Sequence, residues 1–292
     1  VTAALRKKLR RIWLCADDYG MAPGVNDAIR QLIARRRINA TSVMMAATHL
    51  GRDEVDALAA LNDGEQRAAI GLHVTLTAPF KPLSQGFAPL RHGHFLPHKD
   101  LMRAAMTRRL SPELLTIEIA TQVEAFLETF GRLPDYLDGH QHVQLLPQVR
   151  DAFLKVVAEI APKAWVRQCG RARAARQLHD HKGLVLDILS MGFRSKAARL
   201  GIASNPAFAG AYLFSPKANF AKIFPRFLKG LPDGGLIMCH PGFVDAALKS
   251  LDSLTALREH EFAFFNSDAY PQVLAEHGVA LADPSGENAS AA

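Results

Sequence analysis

Cysteine is scarce in this chain: Cys15, Cys169 and Cys239 are all there is in 292 residues. An odd number without a framework spacing excludes a disulfide scaffold and fits a reducing compartment. Cys15 and Cys239 fall within apolar strand-like runs and read as small core residues. No apolar run is long enough to cross a bilayer. The N-terminus is basic, but no uninterrupted apolar stretch with a small-residue cleavage site follows it, so nothing reads as a secretory leader. These absences make the cytoplasm the expected location. No repeat period stands out. No glycine-rich phosphate loop follows the first predicted strand, which counts against an open dinucleotide-binding sheet.

What is present is ordinary globular material, 49% hydrophobic and 22% charged, enough for one large core. The formal charge is +7 and the sequence pI near 9.5. A basic excess can mark a polyanion, an anionic membrane surface or an acidic substrate. Here it is split between Arg6-Lys7-Lys8-Leu9-Arg10-Arg11, Arg35-Arg36-Arg37 and the four arginines between Arg167 and Arg176. Separate clusters with little aromatic interleaving read as solvated helix ends and loops, so no nucleic acid is expected as a partner.

Strand and helix signals alternate along the chain. Apolar runs at Ile12–Ala16, Ser42–Ala47, Ala68–Thr77, Asp135–Val143, Ala164–Arg167, Ala207–Phe214, Gly234–Cys239 and Gly278–Leu281 read as strands. Helical stripes fall between them, at Val25–Arg37, Asp53–Leu61, Pro147–Ile160, Leu184–Leu200, Phe220–Leu231 and Leu257–Leu274. One further helix opens at Ser111-Pro112, with serine as N-cap and proline at the first position, and stops at Gly131. Pro79 to Lys99 lacks periodicity and reads as a long functional loop beside His73. The order predicts a parallel sheet with covering helices, a (β/α) barrel before an open doubly wound sheet. Residues 1–283 form one catalytic domain in this reading. Residues 284–292 form a small, polar, disordered tail.

Several of these strands end in polar residues: Asp17-Asp18, His73, His140-Gln141-His142 and His240. Parallel α/β folds gather sites at that end. Two adjacent carboxylates after a buried run repel one another, and partial burial raises the cost of ionising both. A bound cation removes the difficulty, whereas a solvated turn would need none. His140 and His142, two apart on a strand, would share a face and point into one cavity. One carboxylate with two imidazoles leaves open positions for water and substrate, as a catalytic metal site requires. The other histidines, His49, His92, His94, His98, His179, His181, His260 and His277, read as ordinary core or rim residues.

The stretches Ala16-Asp17-Asp18-Tyr19-Gly20, Gly71-Leu72-His73-Val74-Thr75-Leu76, Leu137-Asp138-Gly139-His140-Gln141-His142-Val143 and Met238-Cys239-His240-Pro241-Gly242-Phe243 occur in the order seen in the YdjC-like family of carbohydrate deacetylases. The chain resembles that family, which includes chitooligosaccharide deacetylases and deacetylases of hopanoid synthesis, from about Arg11 to Ala282. The resemblance implies a distorted, polysaccharide-deacetylase-like (β/α) barrel and metal-dependent removal of an N-acetyl group from an amino sugar, free, oligomeric or lipid-linked. It also implies metal ligands at Asp18, His73 and His140, a general base at Asp17 and an acid at His240. His142 would then stand behind the ligands or against the substrate. Tyr19 replaces the phenylalanine common at its place, adding a hydroxyl that would likewise stand behind the ligands or against the substrate. The segments 79–109 and 171–214 match poorly and would line the substrate entrance.

The chemistry agrees with these roles. A divalent metal lowers the pKa of water and polarises a carbonyl, Asp17 would take the water's proton, and His240 would protonate the leaving amine. Asp138 would fix the ring of one ligating histidine. Two nitrogens and one carboxylate suit zinc, nickel or cobalt better than magnesium, yet the resembling family has been described with magnesium, so magnesium and zinc both stand. The same residues would serve a hydrolase of a phosphoester or another amide. A non-catalytic carbohydrate- or polyanion-binding protein on the same scaffold is the third reading. Contact with a lipid-linked substrate and a homodimer stay open.

Overall fold

The structure, a computed structural model, describes residues 9–172, 181–212, 214–215 and 218–285. Arg6, Lys7, Lys8, Arg173, Arg176, His179, the side chain of His181 and the expected tail from residue 286 onward lie outside the described residues.

The spine is β1 (Arg10–Tyr19), buried from Ile12 to its end. It is covered on both faces, which is why it reads as a continuous apolar run rather than an alternating one. β2 (Ala40–Val43), β3 (Ala69–Val74), β4 (Tyr136–Gly139) and β5 (Trp165–Val166) follow on one side. β7 (Leu236–Cys239) and then β6 (Phe208–Ala209) follow on the other, and β8 (Val279–Leu281) pairs with the start of β1. Every pair is parallel. The sheet curls until its edges meet through isolated bridges, Val166 to Ser204 and Arg171 to Phe208, with the Phe208 amide donating to Gly170 at 2.9 Å. This is the distorted parallel barrel expected, closed by single contacts rather than a full ladder. All strand C-termini consequently share one rim.

The helices form for local reasons. In α1 (Pro23–Ala34), Pro23 starts the helix and Val25, Ala28, Ile29, Leu32 and Ile33 bury one stripe. Truncating such a side chain, Ile29→Ala for example, costs about 2–5 kcal/mol. α4 (Pro112–Phe130) is capped by Ser111, whose Oγ accepts from the Leu114 amide at 3.2 Å, and it ends at Gly131 in the left-handed region at φ 67°. α2 (Arg52–Ala59), α5 (Val149–Ile160) and α6 (His181–Arg199) also stand where helical stripes are read. So do α7 (Phe220–Leu228), α9 (Ala256–Asn266) and α10 (Ala269–Glu276). α8 (Ala246–Leu251) is short and has no clear stripe. Gly71 is required by packing: a Cβ there would lie 2.4 Å from the Tyr136 ring, which crosses β3 to place its hydroxyl 2.9 Å from Cys15 Sγ.

Two expectations need correction. The segment read as a loop to Lys99 runs into a helix, α3 (His98–Met106), whose buried side is Leu101 and Ala105. The preceding residues are irregular but anchored, with the buried Glu118 accepting from the Leu83 and Ser84 amides at 3.1 and 2.8 Å. The second correction concerns β4, which ends at Gly139. His140 to Leu145 form a tight turn in which Gln141 and His142 take φ of 55° and 60°. The alternation of side chains along a strand therefore stops before His140 and does not relate it to His142.

Candidate active site

A bulge in β1 creates the site. Its pairing with β2 steps from Ala16–Thr41 to Tyr19–Val43, so three steps along β1 match two along β2. The extra residue is accommodated at Asp18, whose φ is +74°. Aspartate is among the residues that tolerate this region best. The bulge breaks the alternation that would send neighbouring side chains to opposite faces, and both carboxylates are used at the same rim.

Asp17 is buried and held by Arg167, which follows β5. The two guanidinium nitrogens donate to its two oxygens at 2.6 and 2.9 Å. Arg167 is wholly buried and also lies 3.1 Å from Asp138 Oδ2. The expectation that the Arg167–Arg176 cluster is solvated fails at its first member. Burial works against the Arg167 charge, but Asp138 and Asp17 outweigh it and raise its pKa well above the usual arginine value.

Asp18 turns the other way. Its Oδ1 lies 3.0 Å from His140 Nδ1 and 3.5 Å from His73 Nε2, while Oδ2 accepts from Arg258 at 2.6 Å. Burial pushes the Asp18 carboxyl up, but Arg258, His140 and His73 hold it well below the usual carboxylate range. His73 and Asp138 are register partners across β3 and β4, and Asp138 Oδ1 is 2.5 Å from His73 Nδ1. That contact fixes which ring nitrogen faces Asp18. Burial lowers the His73 pKa, yet Asp138 and Asp17 more than offset it and carry it to about 10. Asp138 itself is pushed up by burial and pulled down further by Arg167 and His73, to a net lowering.

One atom each of Asp18, His73 and His140 lie within 4.8 Å of one another. Around them, three buried carboxylates, Asp17, Asp18 and Asp138, face two buried guanidiniums, Arg167 and Arg258. His73, whose pKa of about 10 leaves it protonated at neutral pH, balances the third carboxylate; with that proton displaced, the negative charge left over and the mixed N and O donor set fit a divalent cation. The neighbouring group of Cys15, Asp17 and Asp138 is also compact, but Arg167 occupies it, and burial followed by Asp17 keeps the Cys15 thiol pKa well above its usual value.

His240 follows β7. Its backbone amide donates to Glu261 Oε2 at 2.5 Å, and its ring meets the edge of Phe214 at 5.7 Å between centroids. Its Nδ1 is buried and has no hydrogen-bond partner among the described residues, so no carboxylate orients this ring as Asp138 orients His73. Burial raises the Glu261 pKa, only partly offset by His240.

Two sequence expectations change here. Tyr19 is buried away from the carboxylates, its hydroxyl donating to the Glu54 carbonyl at 2.6 Å and accepting from Arg30 at 3.0 Å. The tyrosine hydroxyl therefore ties β1 to α2. His142 shares no face with His140. Its Nδ1 lies 3.5 Å from Cys169 Sγ, its ring stands edge-on to Phe208, and burial, then Arg167, pushes its pKa down to about 3.

Four residues of the site escape the motif reading. Arg167 carries a signal, because it ends an apolar strand as the other site residues do. Arg258 and Glu261 carry a fainter one: with Leu257, Phe264 and Phe265 they occupy the buried stripe of α9, where charged residues need a partner. His98, read as an ordinary rim residue, lies close enough to His140 that burial and that ring lower its pKa. Phe80, from the long loop, packs edge-on against His140 at 5.9 Å, so the loop does stand beside the rim.

The sequence model of the YdjC-like protein family matches residues 11–276. A chitooligosaccharide deacetylase of Escherichia fergusonii is 26% identical over 274 residues, covering 91% of this chain and 94% of the relative. The chitooligosaccharide deacetylase of Citrobacter koseri is 26% identical over 270 residues, with the same two coverages. Among solved structures, an Enterococcus faecalis protein whose name suggests cellobiose-phosphate cleavage superposes with a TM-score of 0.68. It is 19% identical, and the match covers 95% of this chain and 98% of that one, a likeness of fold. Among the described residues, no helix is long and apolar enough to cross a membrane.

Proposed function

Because the chain belongs to the YdjC-like protein family, we propose that it is a metal-dependent carbohydrate deacetylase that hydrolyses the N-acetyl group of an amino sugar, as the names of its chitooligosaccharide deacetylase relatives suggest. The observation that carries this reading is the convergence of Asp18, His73 and His140 within 4.8 Å, beside a second carboxylate, Asp17, that is not part of that group. Asp18, His73 and His140 would hold the ion, zinc or magnesium. Once bound, the ion would supply a Lewis acid for the acetyl carbonyl and for the attacking water.

The chain's own residues account for the proton movements. Asp17 accepts the proton of the attacking water through a carboxylate whose orientation Arg167 fixes from both oxygens. Each oxygen retains lone-pair capacity beyond its guanidinium contact. Asp138 holds His73 by Nδ1, leaving Nε2 free for the ion. The amine cannot leave as an anion, and His240, on a different strand from Asp17, delivers its proton. Phe80 is buried against His140, and the exposed Phe214 stands beside His240, where it would present an apolar face to a sugar ring.

The test is acetate release from N-acetylglucosamine oligomers, with a chelator and then with zinc or magnesium restored. Metal-dependent acetate release is the expected result. Phosphate release from generic esters without acetate release would replace this reading by a different hydrolase, and binding without any turnover would replace it by a non-catalytic one.

A further inference from the structure

Arg258 is 1% exposed and sits on α9, outside every motif. Its Nη2 donates to Asp18 Oδ2 at 2.6 Å and to Asp252 Oδ2 at 2.7 Å, and its Nε donates to the Leu254 carbonyl at 3.0 Å. Its Nη1 is buried without a hydrogen-bond partner among the described residues. A buried guanidinium with an idle nitrogen is costly. The side chain is placed for Asp18 rather than for its own satisfaction. The segment after β7 is built around it: the Gly242 amide donates to the Arg258 carbonyl at 3.2 Å, and a Cβ on Gly242 would lie 3.3 Å from Arg258 Cδ.

The consequence falls on Asp18. One oxygen is committed to the guanidinium and the other faces both histidines. A free carboxylate can bind an ion through one or both oxygens, and two-oxygen binding is a habit of large, oxygen-preferring ions such as calcium. We propose that Arg258 is a positioning residue that restricts Asp18 to single-oxygen ligation, and so favours small ions of the zinc and cobalt type over larger ones. The inference rests on the metal site of the proposed function.

Charge alone predicts the opposite of geometry. Removing a cation beside an anionic ligand should tighten metal binding by simple Coulomb attraction. Loss of a group that orients a ligand weakens metal affinity by roughly 10–100-fold. Chelator competition with cobalt(II), on purified metal-free Arg258→Met and Arg258→Lys, distinguishes them. Both variants should bind cobalt roughly 10–100-fold more weakly. Their visible cobalt spectra should shift towards a higher coordination number, and discrimination against calcium should narrow. Arg258→Lys keeps the charge without the planar fork, so it should fall with Arg258→Met rather than stay with the wild type.

Should Arg258→Met fail to fold, Asp252→Asn weakens the second carboxylate anchor of the guanidinium at a partly exposed position, with an Asp252 side-chain exposure of 23%. It should shift the cobalt spectrum and weaken affinity in the same direction by a smaller factor. Folded variants with wild-type or tighter cobalt affinity and an unchanged spectrum would overturn the inference. A wild-type protein that binds no cobalt would instead defeat the metal site itself.

Discussion

Arg167→Met tests the buried charge network directly. The substitution keeps an unbranched side chain of similar reach but removes a guanidinium that contacts Asp17 at 2.6 and 2.9 Å and Asp138 at 3.1 Å. Breaking a buried ion pair by deleting one partner costs about 3–5 kcal/mol, because the other charge is left uncompensated. At roughly 2–4 °C per kcal/mol, a figure for somewhat smaller domains, the metal-free protein should melt roughly 6–20 °C lower. Asp17→Asn in the same background removes one of the two stranded carboxylates, while Asp138 keeps His73 and Ser42. The double variant should therefore recover about half of the loss. A thermodynamic cycle over the two single variants and the double variant should give a coupling of roughly 2–3 kcal/mol. The folded Asp138 pKa is depressed, so its contribution to stability is present above its unfolded pKa and is lost as pH falls through the folded one. Without Arg167 that depression shrinks, and acid unfolding should begin at higher pH. Calorimetry and chemical denaturation measure these quantities. A coupling below about 0.5 kcal/mol, with an unmoved acid transition, would refute the buried clamp.

Separating the adjacent carboxylates gives a second expectation. Asp18→Asn should lose metal and activity together, with partial rescue by excess metal. Asp17→Asn should keep its metal and lose about two to four decades of turnover without rescue, as elemental analysis and acetate release would show. His240→Ala should lower amide turnover by about two to four decades while esters of the same sugar, whose leaving groups need less protonation, suffer less; equal losses would remove His240 from the acid role. In chelator, the His73 pKa of about 10 lies above its ordinary 6.5. Its contribution is thus complete below about pH 6.5 and lost as pH rises towards 10, on the order of a few kcal/mol, and denaturation of wild type and His73→Gln across that range should show the difference. Glu118→Gln should loosen the Leu83–Ser84 anchor and change KM across several sugars more than kcat, with metal content unchanged; identical kinetics would make the loop a passive connector.

The barrel was legible in the sequence because its signals are local. A strand buried on both faces, such as β1, must be apolar throughout, and an amphipathic helix such as α1 must carry its stripe at helical spacing. The ends of α4 were legible for the same reason, since Ser111, Pro112 and Gly131 act on the backbone within one turn. Polar residues closing successive strands also announced that chemistry gathers at one rim. Only the tertiary structure decided how those residues divide. Asp17 and Asp18 share the rim because of a bulge, and the bulge is a mismatch between β1 and β2 that neither strand states alone. His142 was expected beside His140, but the chain turns at Gly139, and the ring went to Cys169 and Phe208 instead. Arg167 read as part of a solvated cluster and Arg258 was not singled out at all, until strands and helices distant in sequence were laid against the carboxylates. Charge pairing in a low-dielectric interior acts through space, and it leaves no period or spacing in the chain that carries it.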